Sequence, residues 1–219
     1  MAGAENHRIA ELEAEAARLT ARLRELDHRI KNDLQLIASV FVLQTRRTPE
    51  GPQRELVKGA LARVSAVAVV HRRLDVLGEA GRLEVSGLVR DLVEEAVAGA
   101  RRDEVRADLA LQPVSLPARQ GAPLAMIVGE LVRNALAHGL ADRGGRIEVS
   151  LASESGEVVL AVRDDGPGVG DAPRGFGLML AGLLAQQLRG GLELAEASPG
   201  VRAVVRFPET PAEDPAGSA

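Results

Sequence analysis

Asp27-His28-Arg29-Ile30-Lys31-Asn32-Asp33 lies in the middle of a long stretch of helical character, and its reading decides how the chain is organised. Up to and into it, apolar residues fall at Ile9, Leu12, Ala16, Leu19, Leu23, Leu26 and Ile30, separated alternately by 3 and 4 positions. That spacing is a heptad repeat, so one stripe of the helix is built to face a partner helix. With Leu23 at position a and Leu26 at d, His28 falls at f, away from the seam. Arg24, Lys31, Asn32 and Gln35 share its side. A histidine at f packs nothing, and taken alone it is an ordinary solvated side chain. Anything more must come from chemistry elsewhere in the chain.

The first helix reads from about Glu5 to Arg47 and is stopped by Thr48-Pro49-Glu50-Gly51-Pro52. Beyond His28 its stripe widens to Leu34, Leu36, Ile37, Val40, Phe41 and Leu43. A stripe that wide suits burial against several neighbours, as in a four-helix bundle. Leu56, Val57, Ala60, Leu61, Val64, Val67, Ala68, His71 and Leu74 mark a second helix that continues to Leu77. His71 sits on its apolar stripe and reads as a packed side chain. One hairpin leaves apolar surface uncovered, so pairing of two copies into a homodimeric four-helix bundle is the simplest completion. Residues 1–80 are therefore expected to be a coiled coil and dimerisation hairpin, with Gly78-Glu79-Ala80-Gly81 as linker.

From residue 81 the pattern changes. Ser86 can cap a helix carrying Leu88, Val89, Leu92, Val93 and Val97. Val105 to Leu111 alternates as a strand does, Pro113 to Pro123 reads as irregular, and Leu124 to Leu140 is helical. Arg146–Ala152 and Glu157–Arg163 are strands joined at Ser155-Gly156, a hairpin signal. Gly177 to Arg189 is helical, and a second hairpin joins Gly191–Ala197 to Arg202–Phe207 across Ser198-Pro199-Gly200. Helices on one side of a mixed, largely antiparallel sheet make an α/β sandwich over residues 81–208. The Pro-, Ala- and Glu-rich stretch 209–219 is expected to be disordered.

Composition narrows the function. Apolar residues are 46% of 219, and only Phe41, Phe176 and Phe207 are aromatic, so no stacking platform for single strands exists. A net charge of -4 argues against a phosphate-backbone binder, and nucleic acid is not expected as a partner. With no cysteine there is neither a disulfide framework nor a thiolate metal site, which suits a reducing compartment. No apolar run approaches the ~20 residues that span a bilayer, and Met1-Ala2-Gly3-Ala4-Glu5-Asn6 lacks a leader's charged-then-apolar layout. The chain reads as soluble and cytoplasmic, without a membrane partner.

Three constellations carry chemistry. Glu130, Asn134 and His138, at i, i+4 and i+8, form a polar ridge opposite Leu124, Val128, Leu131, Val132 and Ala135. Such a ridge is in general a solvent face, but an asparagine in it can offer its carbonyl oxygen to a hard cation such as Mg²⁺. Asp164-Asp165-Gly166-Pro167-Gly168 follows a strand; it suits a turn, and it also lets backbone approach a ligand beside a carboxylate that can accept from an exocyclic amine. Arg174-Gly175-Phe176-Gly177-Leu178 runs into a helix, whose N-terminal amides and dipole favour an anion.

The order Glu130-Leu131-Val132-Arg133-Asn134-Ala135-x-x-His138, Asp164-Asp165-Gly166-Pro167-Gly168, Gly175-x-Gly177-Leu178 resembles the asparagine box and the two glycine boxes of the Bergerat (GHKL) ATP-binding fold. Glu25-Leu26-Asp27-His28-Arg29-Ile30-Lys31-Asn32 resembles the phosphoacceptor box of two-component sensor histidine kinases of the His-Arg-x-x-Asn group. The resemblance implies a histidine kinase with ATP and Mg²⁺ as cofactors. Asn134 would ligate Mg²⁺ on the triphosphate and Asp164 would meet the adenine amino group. Gly166 and Gly168 would let the chain hug the nucleotide, with His138 beside it, while Gly175 and Gly177 would close a lid over the phosphates. His28 would take the γ-phosphoryl group and pass it to an aspartate of a response-regulator receiver domain. An f position gives both partners access, and phosphoryl transfer asks mainly for positioning and charge neutralisation. Helix geometry favours Glu25 (i−3) as the carboxylate that orients the His28 ring, with Asn32 (i+4) also near its face.

The chain departs from the pattern at several points. Ala137 stands where relatives usually carry a phosphate-holding lysine, only Val169–Arg174 separates the glycine boxes, and Gly200-Val201 replaces the usual Gly-Thr. These departures leave room for a second reading, a histidine phosphotransferase or adaptor that relays phosphate without using ATP. A third, a GHKL ATPase or serine kinase with Glu130 activating water or a hydroxyl, leaves the His28 box unexplained. Input can enter through a separate sensor protein, through the Glu5–Asp27 coiled coil, or through a further domain.

Overall fold

The computed structural model describes residues 2–74, 81–100, 102, 104–140, 144–168 and 175–209. In chain order the elements are α1 (Ala2–Arg47), α2 (Pro52–Leu74), β1 (Arg82–Glu84), α3 (Ser86–Ala100), β2 (Val105–Leu111), β3 (Ser115–Pro117), α4 (Ala118–Asn134), a π turn (Ala135–Gly139), β4 (Gly145–Glu154), β5 (Glu157–Asp164), α5 (Phe176–Gln187), β6 (Gly191–Glu196) and β7 (Val201–Pro208). They form two compact units, Met1–Val64 and Ser65–Ala219.

In the first unit, Gly51 at φ 143° makes the turn after α1, and α2 opens at Pro52, where a missing N–H costs nothing. The heptad stripe stays open within one copy of the chain: Leu23 is 66% exposed and Leu26 55%.

The second unit holds the main core. Its sheet runs β2-β4-β5-β7-β6, with β2 and β4 parallel and every other pair antiparallel. Alternation places Ile147, Val149 and Leu151 of β4, Val158, Leu160 and Val162 of β5, and Ala203, Val205 and Phe207 of β7 on one buried face. Helices α3, α4 and α5 pack against this sheet and give the expected sandwich. Each Leu, Ile or Val buried there contributes roughly 1.5–3 kcal/mol relative to exposure.

Four features differ from the sequence reading. The unit begins at Ser65 rather than at the linker, because Ala66, Val69 and Val70 of α2 are buried in its core. Val70 and Leu83 close on Gly121 of α4, 3.2 and 2.7 Å from where a β-carbon would stand, and Arg73 bonds Asp91 at 2.5 Å. The stretch read as irregular holds β3, which pairs with β1, and the first turns of α4, with Pro123 buried inside the helix. Proline forfeits one i→i−4 bond there, and the neighbouring burial of Leu124, Ala125 and Ile127 offsets it. The end of that helix is a π turn, closed by Leu140 N donating to Ala135 O at 2.9 Å. Finally, Glu209 belongs to the fold and not to a tail: its amide donates to Gly156 O at 2.8 Å and its carboxylate meets Arg82 at 3.1 Å and Ser153 at 2.8 Å. Gly78, Glu79 and Ala80 of the linker, the short Val169–Arg174 lid and tail residues 210–219 lie outside the described residues. Among the described residues, no helix is long and apolar enough to cross a membrane.

Glu84 fastens the start of α3. Its Oε1 accepts from Ser86 N at 2.8 Å and its Oε2 from Gly87 N at 3.1 Å. Partial burial would raise this carboxyl, but the Ser86 hydroxyl, the Gly87 and Ser86 amides and the Arg73 charge together hold it below the ordinary carboxylate value. A depressed folded value means stability that is present above the unfolded pKa and lost as pH falls through the folded one. Glu84→Gln should therefore melt lower at neutral pH, by up to about 1 kcal/mol on the scale of a helix cap. In circular-dichroism melts the two proteins should converge in acid, and a pH-independent gap would remove the ionised cap.

Candidate functional site

His28 stands exposed on α1. Its Nδ1 lies 3.2 Å from the Asn32 amide nitrogen one turn on. Glu25, the carboxylate expected to orient the ring, instead holds Arg29 at 2.5 Å, and Asp27 holds Lys31 at 2.9 Å. The i,i+4 spacing that links Glu25 to Arg29 is the favoured order for a helical ion pair. The group against the imidazole is thus the amide. His28 and Glu25 belong to the first compact unit; Asn134, His138, Asp164 and the glycines expected around a nucleotide belong to the second.

In the second unit the site grows from the end of β5. Asp164 is 5% exposed, and its Oδ1 accepts from Gly166 N at 2.9 Å, the self-made turn that aspartate favours. Among the described residues its second oxygen meets no donor. Three glycines wall it in. A β-carbon on Gly139 would strike the Asp164 carboxyl group, and one on Gly200 would fall on the Asp164 carbonyl oxygen. At Gly166 it would strike Gly139 O and lie 2.7 Å from Asp164 Oδ1. Gly200 also needs φ 96°. Gly139 and Gly200 escaped the sequence reading as site residues; the glycine directly after His138 was the available signal. Asp165 has a different task. Its Oδ1 accepts from Arg146 N at 3.0 Å, which pins the loop to β4.

The π turn meets this carboxylate through Gly139. Asn134, half-buried, is the last residue of α4 before the turn, and His138 is exposed within it. A π turn is an uncommon departure from α geometry that is frequent at functional sites. One turn before Asn134, Glu130 is 2% exposed and paired with Arg133. That pair lies directly under the start of α5: a β-carbon on Gly177 would strike Glu130 Oε2 and come 2.5 Å from Arg133 Nη2. Gly175 precedes the helix in extended backbone with open space around it, so it is not sterically required, whereas Gly168 adopts φ 99°. The α5 N-terminus follows Gly175 and has no side-chain cap hydrogen bond. One helix, α4, therefore joins the Asp164 enclosure at one end to the glycine-led helix start on its flank.

No three His, Asp or Glu side chains converge among the described residues. The side-chain oxygen of half-buried Asn134 is a donor of the hard kind that would suit Mg²⁺ carried on a triphosphate.

Residues 25–99 match the family model described as Histidine kinase, and residues 120–211 match that of the Histidine kinase-, DNA gyrase B-, and HSP90-like ATPase. The chain belongs to the histidine kinase family. Sensor histidine kinase PdtaS of Mycobacterium tuberculosis is 29% identical over 204 residues, which cover 86% of this chain and 39% of the relative. A blue-light-activated histidine kinase of Rhizobium johnstonii is 30% identical over 211 residues, covering 93% and 57%. The chain thus spans about two-fifths of the length of the mycobacterial kinase. The histidine kinase domain of the Erythrobacter litoralis EL346 blue-light-activated kinase shares its fold, with TM-score 0.64 at 21% identity over 89% of this chain and 94% of that one. The expected helices followed by an α/β ATP-binding domain are the family's architecture.

Proposed function

We propose that this chain is the catalytic core of a cytoplasmic two-component histidine kinase that phosphorylates His28 from Mg-ATP and passes the group to an aspartate of a response regulator. The observation that carries the reading is the Asp164 carboxylate, walled by Gly139 and Gly166 with one oxygen open, while Gly200 lies against the Asp164 backbone carbonyl. An adenine amino group is a donor of the size and kind that this enclosure accepts. Asn134 would hold Mg²⁺ on the phosphates, and Gly168, Gly175, Gly177 and His138 would line the way to the α5 amides. In the transfer, a lone pair of the His28 ring attacks the γ-phosphorus, the bond to the bridging oxygen breaks, and ADP leaves. Asn32 is better placed than Glu25 to hold the ring: with its amide oxygen turned inward it would accept Nδ1–H and keep the lone pair on Nε2. The test is incubation with γ-labelled ATP. The label should be lost in acid and kept in base, because a phosphorus–nitrogen bond hydrolyses once the ring is protonated. An acid-stable label would point to a hydroxyl acceptor. Labelling only from a phosphorylated receiver domain would select the phosphotransferase.

The same reading includes a homodimer. The open heptad stripe from Ile9 to Ile30 offers several apolar side chains, each worth roughly 1.5–3 kcal/mol when buried. Light scattering at tens of micromolar should return twice the 23.0 kDa chain mass. A monomer mass there would overturn it.

A further inference from the structure

Arg102, in the connection between α3 and β2, reaches across to the far end of the helix that carries Asn134. Its Nη1 donates to Leu140 O at 2.6 Å and approaches Leu136 O at 3.4 Å. The last carbonyls of a helix have no partner within it, and they form the negative end of its dipole. A guanidinium there answers both needs. The carbonyls it holds are those of the π turn: Leu140 closes the turn through its own N–H to Ala135 O, and its side chain is fully buried. The turn in its place presses Gly139 against the Asp164 carboxyl group and Gly166, with no room for one added carbon. The chain of contact from Arg102 to the Asp164 carboxylate is therefore short and rigid: guanidinium, π turn, Gly139, carboxylate.

We propose that Arg102 is a positioning residue of the nucleotide site, setting the place of the Asp164 carboxylate and so the preference for adenine over guanine. The inference rests on the nucleotide reading above. Adenine offers an exocyclic amine to that carboxylate where guanine offers a carbonyl oxygen, so a displaced carboxylate loses discrimination before it loses all binding. Without the guanidinium, Leu140 O is unsatisfied and the turn can slide along Asp164. Outer groups that orient metal ligands change affinity about 10–100-fold when removed, and that range is the scale expected here.

Calorimetry of the full chain with Mg-ATP and with Mg-GTP tests this. Arg102→Ala should weaken ATP about 10-fold or more and bring the ATP to GTP ratio toward one, while Arg102→Lys, which keeps one donor, should restore part of the ratio. A variant that melts lower yet keeps the wild-type ratio would show a plain helix cap and overturn the inference. If Arg102→Ala does not fold, the ratio in Arg102→Lys and Arg102→Gln decides in the same way. Wild-type protein without preference for ATP would instead remove the nucleotide reading itself, and this inference with it.

Discussion

His28→Ala should abolish acid-labile self-labelling, down to background, while leaving Mg-ATP affinity unchanged. The first half follows because no other histidine shares its setting: His7 is drawn to Glu11 at 3.3 Å, His71 is half-buried on α2, and His138 lies in the π turn. The second half follows because the nucleotide residues belong to the other compact unit. Folding is not at stake. His28 is exposed, its contact is the Asn32 amide, and substitutions at such surface positions usually stay within about 0.5 kcal/mol. The pair Asn32→Ala and Glu25→Gln then separates the two orienting groups, since the larger loss of labelling rate should come from Asn32. Undiminished label in His28→Ala would refute the histidine-kinase reading outright.

Asn134→Ala carries the second large effect. Alanine is at least as good a helix former as asparagine, and position 134 is half-buried at a helix end, so melts should not fall. What is lost is the one oxygen proposed for Mg²⁺. Affinity for Mg-ATP should drop by at least the 10–100-fold seen when merely supporting groups of a metal site are removed. The advantage of Mg-ATP over metal-free ATP should vanish with it. Calorimetry with and without Mg²⁺ measures both, and an unchanged advantage would take Asn134 out of the site.

Much of this was legible in the residues because periodicity is local. The heptad from Ile9 to Ile30, the two hairpins of the sheet and the helix before Asn134 all announce themselves by spacing. What escaped depends on partners distant in sequence. Three-residue strands such as β1 and β3 are too short to alternate visibly, and Pro123 hid the start of α4 because burial outweighs its lost bond. The need for glycine at 139 and 200 arises from the Asp164 side chain and carbonyl, which the fold alone brings there. The pairing of Glu25 was hidden for a similar reason: two helical neighbours, His28 and Arg29, were within its reach, and in the structure it holds the permanent cation.

The enclosure around Asp164 also limits how the protein can change. Most binding pockets are shaped by side chains, so a harmful enlargement at one position can be answered by a reduction at its neighbour. Here the wall consists of hydrogen atoms on Gly139, Gly166 and Gly200, drawn from three separate segments. Nothing opposite them can be trimmed further, since the facing atoms are backbone or the carboxylate itself. A side chain added at any of the three therefore has to displace backbone or the Asp164 carboxylate itself.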